Sequence, residues 1–216
     1  MNHFDILTTL KYLPGILLGL TIHEFSHAWV ANQCGDTTSK EQGRVTLNPL
    51  KHIDPIGFLL LLVAGFGWAK PVQFNEQNLK NPKTDVLKIA GAGPASNALL
   101  AMLLSLVLVI WMNAISYDYN RINNFVYESL RYAIYINWGL LIFNMIPIPP
   151  LDGSHFLLSW FRKKPALYNA FYRYGSFLLL ALVIGSMATS INFFPIWPAI
   201  RFLGDGFLSL IGFRML

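Results

Sequence analysis

Apolar residues along this chain come in long, nearly unbroken runs, not in alternation with polar ones. The pattern divides it into five or six segments. The first runs from about Tyr12 to Ala31 and the second, IGFLLLLVAGFGW, from Ile56 to Trp68. The third, from about Val86 to Ala114, is interrupted only by the small-residue patch GAGPASN. A fourth covers about Phe125 to Ile146, a fifth about Gly175 to Thr189, and a last one begins near Ile196 and carries Arg201 and Asp205. A bilayer needs about 20 apolar residues per helix. The first, third and fourth segments reach that length; the fifth does so only with its flanks. The second is too short to cross upright and fits a re-entrant or interfacial helix. On either side of it, RVTLN (Arg44–Asn48) and KPVQFN (Lys70–Asn75) are bounded by Gly, Pro or Asn and predict short strands. The expected fold class is an all-α multi-pass membrane protein. It would hold about five or six transmembrane or membrane-embedded helices, with short β-strands next to the first. No loop is long enough for an inserted soluble domain of ordinary size. The chain reads as one membrane-embedded domain over 1–216, with a core at about 10–155 and C-terminal helices at about 166–216.

Composition agrees. Hydrophobic residues make up 54% of the chain and charged residues 12%, against about 25% charged in an ordinary soluble domain. Mean hydropathy is +0.46. A net charge of +5 would point to nucleic acid in a soluble protein, but here the basic residues sit in short loops, and no nucleic-acid partner is expected. If the Ile56–Trp68 run does not cross, one side holds Lys40, Arg44, Lys51, Lys70, Lys80, Lys83, Lys88, Arg162, Lys163, Lys164 and Arg173. The other side holds Lys11 and Arg121. Positive charge marks the cytoplasm, so the N-terminus is expected outside and the basic loops inside. Cys34 is the sole cysteine and excludes an internal disulfide; it reads as a small, half-buried residue near a helix end. No cleavable signal peptide is evident, because the first residues lack a basic region.

The first segment ends in TIHEFSHAWVA, Thr21 to Ala31. A charged side chain at the bilayer centre costs roughly 2.5–3.5 kcal/mol on insertion scales, so His23, Glu24 and His27 need a reason to be there. Residues four apart on a helix share a face. His23 and His27 can therefore grip one zinc ion, with Glu24 beside them as a base for water. Catalytic zinc usually takes three protein ligands. The remaining donors include His3, His52, His155 and Asp152. Asp152, followed by Gly153, is well placed to turn inward, with a solvated turn residue as the alternative. The fourth segment ends in Pro147, Pro149 and Pro150, which break the helix, and irregular backbone at membrane depth must be buried or line a watery cavity. The topology also brings His23, His27 and Asp152 to similar depth on one side. His52 in LKHIDP reads mainly as a polar loop residue, with a gate or accessory ligand as the alternative. His155, three residues past Asp152, could support the ligands; His3 reads as inert. Asn97 and its small neighbours read as a close helix-packing face.

These stretches resemble the site-2 protease family of intramembrane zinc metalloproteases. HEFSH matches that family's zinc helix, and NMIPIPPLDG its second signature; GRVTLNPLKHIDPIG, GWAKPV and AGPASN resemble its compact prokaryotic branch. The resemblance covers roughly Ile16 to His155. It implies one zinc per chain, His23, His27 and Asp152 as ligands, Glu24 as catalytic base and Asn144 as a polar group near the reacting carbonyl. The residues on their own also allow that Asn144 is only an interhelical hydrogen-bonding amide. No PDZ-like domain is evident, and little chain precedes the zinc helix. The last part, Phe156–Leu216, matches weakly.

The reading is a zinc metalloendopeptidase of the cell membrane, with its active site towards the cytoplasm. It would hydrolyse peptide bonds of single-span membrane proteins or peptides within or beside the lipid bilayer. The RVTLN strand would offer an edge on which an unwound substrate pairs. The rival is a non-proteolytic zinc-dependent membrane binding or transport protein, which needs the ligands but no spare carboxylate such as Glu24. Substrate identity and oligomeric state are not legible.

Overall fold

The computed structural model describes residues 6–64, 67–114, 120–161, 163–189 and 193–213. Eight α-helices lie among them: α1 Ile6–Gln33, α2 Thr38–Glu41, α3 Pro55–Ala64, α4 Pro82–Ala114, α5 Arg121–Asn144, α6 Gly153–Phe161, α7 Pro165–Ala188 and α8 Trp197–Leu210. His3, Arg162 and parts of the second and last apolar segments fall outside the described residues.

α1, α4 and α5 pack on one another, and α8 lies along α5. The α1–α5 crossing is close because Gly15 and Gly19 meet Ala133 and Asn137; a Cβ on Gly19 would stand 2.9 Å from Asn137 Oδ1. Small residues at such a crossing let backbones approach. A core of Ala101, Leu108 and Met112 from α4, Ile134 and Trp138 from α5, and Ile200 and Leu208 from α8 is buried. α7 stands apart, touching mainly α6.

Caps set the helix starts. Asn120 accepts from the backbone N–H groups of Ile122 and Asn123 to begin α5. Asp85, in the first turn of α4, accepts from Asn81 N–H at 2.8 Å and pairs with Lys88 at 2.6 Å. α5 stops at Asn144, where the three prolines begin, and the chain turns through residues 145–152 before α6, as the proline run predicts. Cys34 is buried just past α1, beside Leu79 and Val86.

Among the described residues two helices are long and apolar enough to cross a membrane: α4, and α7 over Pro165–Ser186. α1 and α5 have the length, 28 and 24 residues, but polar and charged residues dilute their apolar runs. The fifth apolar segment thus does better than its own length predicts, because α7 recruits ten residues before Gly175. α3 has ten residues, about 15 Å of helix, half the hydrocarbon thickness of about 30 Å. Its two flanks meet: Ile53 and Ala69 form an antiparallel bridge, and Lys70 N–H donates to His52 O at 2.8 Å. The second apolar segment therefore starts and ends at one place.

The two expected strands do not form. Among the described residues the Ile53–Ala69 bridge is isolated, and both stretches are irregular. Side chains take the backbone groups that a ladder would use. His52 Nε2–H donates to Thr46 O at 2.8 Å, and Asn48 caps Leu50 N–H. The Arg44 guanidinium donates to Lys70 O and Pro71 O. Val72 N–H donates to Glu24 and Asn75 N–H to Asp36. Residues 69–75 are thus a strap laid over the end of α1, not a sheet edge.

Candidate metal centre

His23 and His27 sit one turn apart on α1, and the chain turn after α5 brings Asp152 against them. Their ligand atoms converge. His23 Nε2 and His27 Nε2 are 3.0 Å apart, and Asp152 Oδ2 lies 3.1 Å from the first and 3.3 Å from the second. The three form a cluster able to hold a metal ion. Tetrahedral zinc at about 2.0–2.1 Å from each ligand sets the ligand atoms about 3.3 Å apart, so the spacing fits.

Proton positions strengthen the fit. His27 Nδ1 lies 2.7 Å from Ile89 O; a carbonyl only accepts, so Nδ1 carries the proton. His23 Nδ1 lies 2.6 Å from Asn97 Oδ1. The Asn97 amide cannot be turned round, because its Nδ2 donates to Gly19 O at 3.1 Å and to Asn137 Oδ1 at 2.9 Å. Asn137 is held in turn by donating to Ala133 O at 2.8 Å. In the neutral rings both Nε2 atoms therefore present lone pairs, and to each other. Asp152 Oδ2 is buried and has no hydrogen-bond partner. Three electron-pair donors aimed at one point repel unless a cation sits between them. The donor set, two imidazoles and one carboxylate, suits zinc.

Gly93 on α4 makes the space. A Cβ there would overlap His27 Nε2 and come within 2.6 Å of His23 Nε2. Asn97, Asn137 and Gly93 were not legible as parts of this site. Sequence reading takes Asn97 as helix packing and passes over Asn137, although an amide inside an apolar helix is itself a signal.

Glu24 is buried beside the ligands on α1. Its Oε2 accepts from Val72 N–H at 3.0 Å, and Arg44 lies 3.8 Å away. Arg44 is only 4% exposed, so the strap and its clamp hold one carboxylate oxygen of Glu24. Asn144 closes α5 and turns its amide back to Leu140 O at 3.0 Å; the described contacts do not bring it to the ligands. His52 is wholly buried in the loop before α3, outside the ligand cluster. Burial holds its imidazole below the ordinary value, outweighing the bond to Thr46 O. His155 faces the Phe74 ring, centroids 6.4 Å apart. Asp36 ties α1 to the strap by accepting from Thr38, Asn75 and Asn78. Burial raises its carboxyl, but those bonds outweigh burial and keep it below the usual carboxylate range.

A family model described as Peptidase family M50 matches residues 12–186, which include His23, His27 and Asp152. The chain belongs to peptidase family M50. The match extends past His155, into the region where sequence resemblance is weak. A relative in Bacillus subtilis, "Putative zinc metalloprotease YwhC", is 35% identical over 202 residues, 90% of this chain and 88% of its own length. Two further relatives carry the same description. Rip2 of Mycolicibacterium smegmatis is 30% identical over 65% of this chain and 53% of its own length. MJ0611 of Methanocaldococcus jannaschii is 29% identical over 73% of this chain and 74% of its own length. No solved structure matches the chain.

Proposed function

We propose that this M50 peptidase is a membrane-embedded zinc metalloendopeptidase that cleaves membrane-spanning substrates, with Glu24 as its general base. The observation that carries the reading is the convergence of two proton-free Nε2 atoms and an unpartnered Asp152 oxygen on one point. His23, His27 and Asp152 would hold the metal, leaving a fourth position open. Zinc there supplies a Lewis acid, which polarises a carbonyl and makes water acidic near neutral pH.

The residues of the chain do the rest. Glu24 is not a ligand and has one oxygen held by Val72 N–H, which leaves Oε1 for proton transfer. It takes a proton from the attacking water as the new C–O bond forms at the scissile carbonyl. It returns that proton to the amide nitrogen as the C–N bond breaks. Arg44 and Val72 keep the carboxylate aimed throughout. A helical substrate must unwind first, and the extended strap is the segment beside which it would lie. Two long apolar helices support action within a bilayer, and the basic loops favour a cytoplasmic-side site.

The test is cleavage of a panel of single-span peptides by the purified protein in detergent, with and without a chelator. Cleavage that stops with chelator and returns with added zinc is expected. Cleavage that persists after the metal is stripped would contradict the reading.

A further inference from the structure

A cavity of about 1380 Å³ lies away from the His23–His27–Asp152 cluster. It lies between α1, α5 and α8, with Leu61 of α3 at its edge. Its volume exceeds the roughly 300–1,000 Å³ of small-molecule pockets, and most of its lining is apolar.

Two rows of that lining run to the site. Ile16 and Leu20 line it on α1, and the next residue at that four-residue spacing is Glu24. Ile136 and Leu140 line it on α5, and the next at that spacing is Asn144. Residues four apart share a helix face, so the cavity leads along both helices towards the catalytic carboxylate. Its other end is polar. Arg131, Tyr135, Arg201 and Asp205 line it there. Tyr135 Oη donates to Asp205 Oδ1 at 2.5 Å, and Arg201 Nε is 3.6 Å from Asp205 Oδ2. Asp205 thus balances Arg201. Arg131 has no carboxylate within ion-pair distance among the described residues, and it is exposed to the cavity. It lies ten residues into α5, about 15 Å from the helix start. Its exposed guanidinium is therefore free to take a carboxylate from a docked molecule.

We infer that this cavity is the docking groove for the apolar segment of the substrate, and that Arg131 selects substrates carrying an Asp or Glu at its far end. The inference rests on the proteolytic reading and names the class of substrate. Arg131 precedes Asn144 by thirteen residues, about 20 Å of helix. The acidic residue should therefore lie between about 6 residues from the cleaved bond, if the substrate is extended at about 3.3 Å per residue, and about 13, if it is helical.

The experiment compares single-span peptides with Glu, Gln or Lys scanned across that interval on either side of the cleaved bond. With the wild type, one position should favour Glu over Lys by about tenfold in kcat/KM, with Gln between them. Arg131→Glu should reverse that order while leaving zinc content unchanged. If Arg131→Glu fails to fold, Arg131→Gln carries the test and should abolish the preference for Glu over Lys. Equal rates for all three charges at every position would overturn the inference and leave the proteolytic reading standing. So would a charge effect on cleavage that survives in Arg131→Gln. No cleavage of any peptide by the wild type would overturn both.

Discussion

The side-chain oxygen of Asn97 accepts the Nδ1 proton of His23 at 2.6 Å, across 74 residues of sequence. This bond fixes which nitrogen of His23 faces the metal position. The Asn97–Asn137 bond and the Asn137–Ala133 bond fix Asn97 in turn. One chain of amides thus ties α1, α4 and α5 to a single tautomer.

Asn97→Ala should therefore weaken zinc binding by about 10–100-fold, the usual cost of losing a partner behind a metal ligand. Asn97→Asp keeps an acceptor for the His23 proton and should recover most of the affinity. Zinc titration of the purified variants reads this directly. Unchanged affinity in Asn97→Ala would remove the amide chain from the account.

Gly93→Ala should abolish zinc occupancy, because the added methyl overlaps both imidazoles. Gly91→Ala is the control. A Cβ there stands 3.6 Å from Phe156, an ordinary contact, and occupancy should stay near one zinc per chain. Metal analysis of both proteins separates a steric effect at the site from a general loss of helix packing.

The cluster of His23, His27 and Asp152 was legible in the sequence. Spacing puts His23 and His27 on one face, and the proline run turns the chain at Asp152. Their supporting residues were not legible, because the partners of Asn97 and Asn137 lie far away in the chain. The short strands misread for a different reason. RVTLN and KPVQFN have suitable residues, but Arg44, Glu24, Asp36 and His52 supply the hydrogen bonds that a neighbouring strand would have made. Resemblance implies Asn144 near the reacting carbonyl; in the structure it ends α5 and its amide bonds within its own helix.

Arg44 should matter for rate and not for metal. Its fork holds Lys70 O and Pro71 O and keeps the strap on Glu24. Arg44→Gln should lower kcat by about tenfold or more through lost orientation, with zinc content intact. Arg44→Lys retains charge but not the planar fork, and should recover only part of the rate. Loss of zinc along with rate would make Arg44 part of the metal site's architecture instead.

The meeting of Ile53 and Ala69 makes a topological prediction. Lys40 and Lys80 flank a segment that begins and ends together, so both should face the cytoplasm. Cysteines introduced at either position, in a Cys34→Ser background, should resist an impermeant thiol reagent in intact cells. Labelling at Lys80 alone would mean that the second segment crosses.

The central claim is that Glu24 moves the proton. Glu24→Gln keeps size and helix propensity, still accepts from Val72 N–H, and leaves the three ligands untouched. The decisive measurement is the single-turnover cleavage rate of zinc-loaded Glu24→Gln beside that of the wild type. The account predicts full zinc occupancy with a rate lower by at least the 10²–10⁴-fold that general acid–base catalysis supplies. Cleavage at the wild-type rate, with zinc in place, would contradict it.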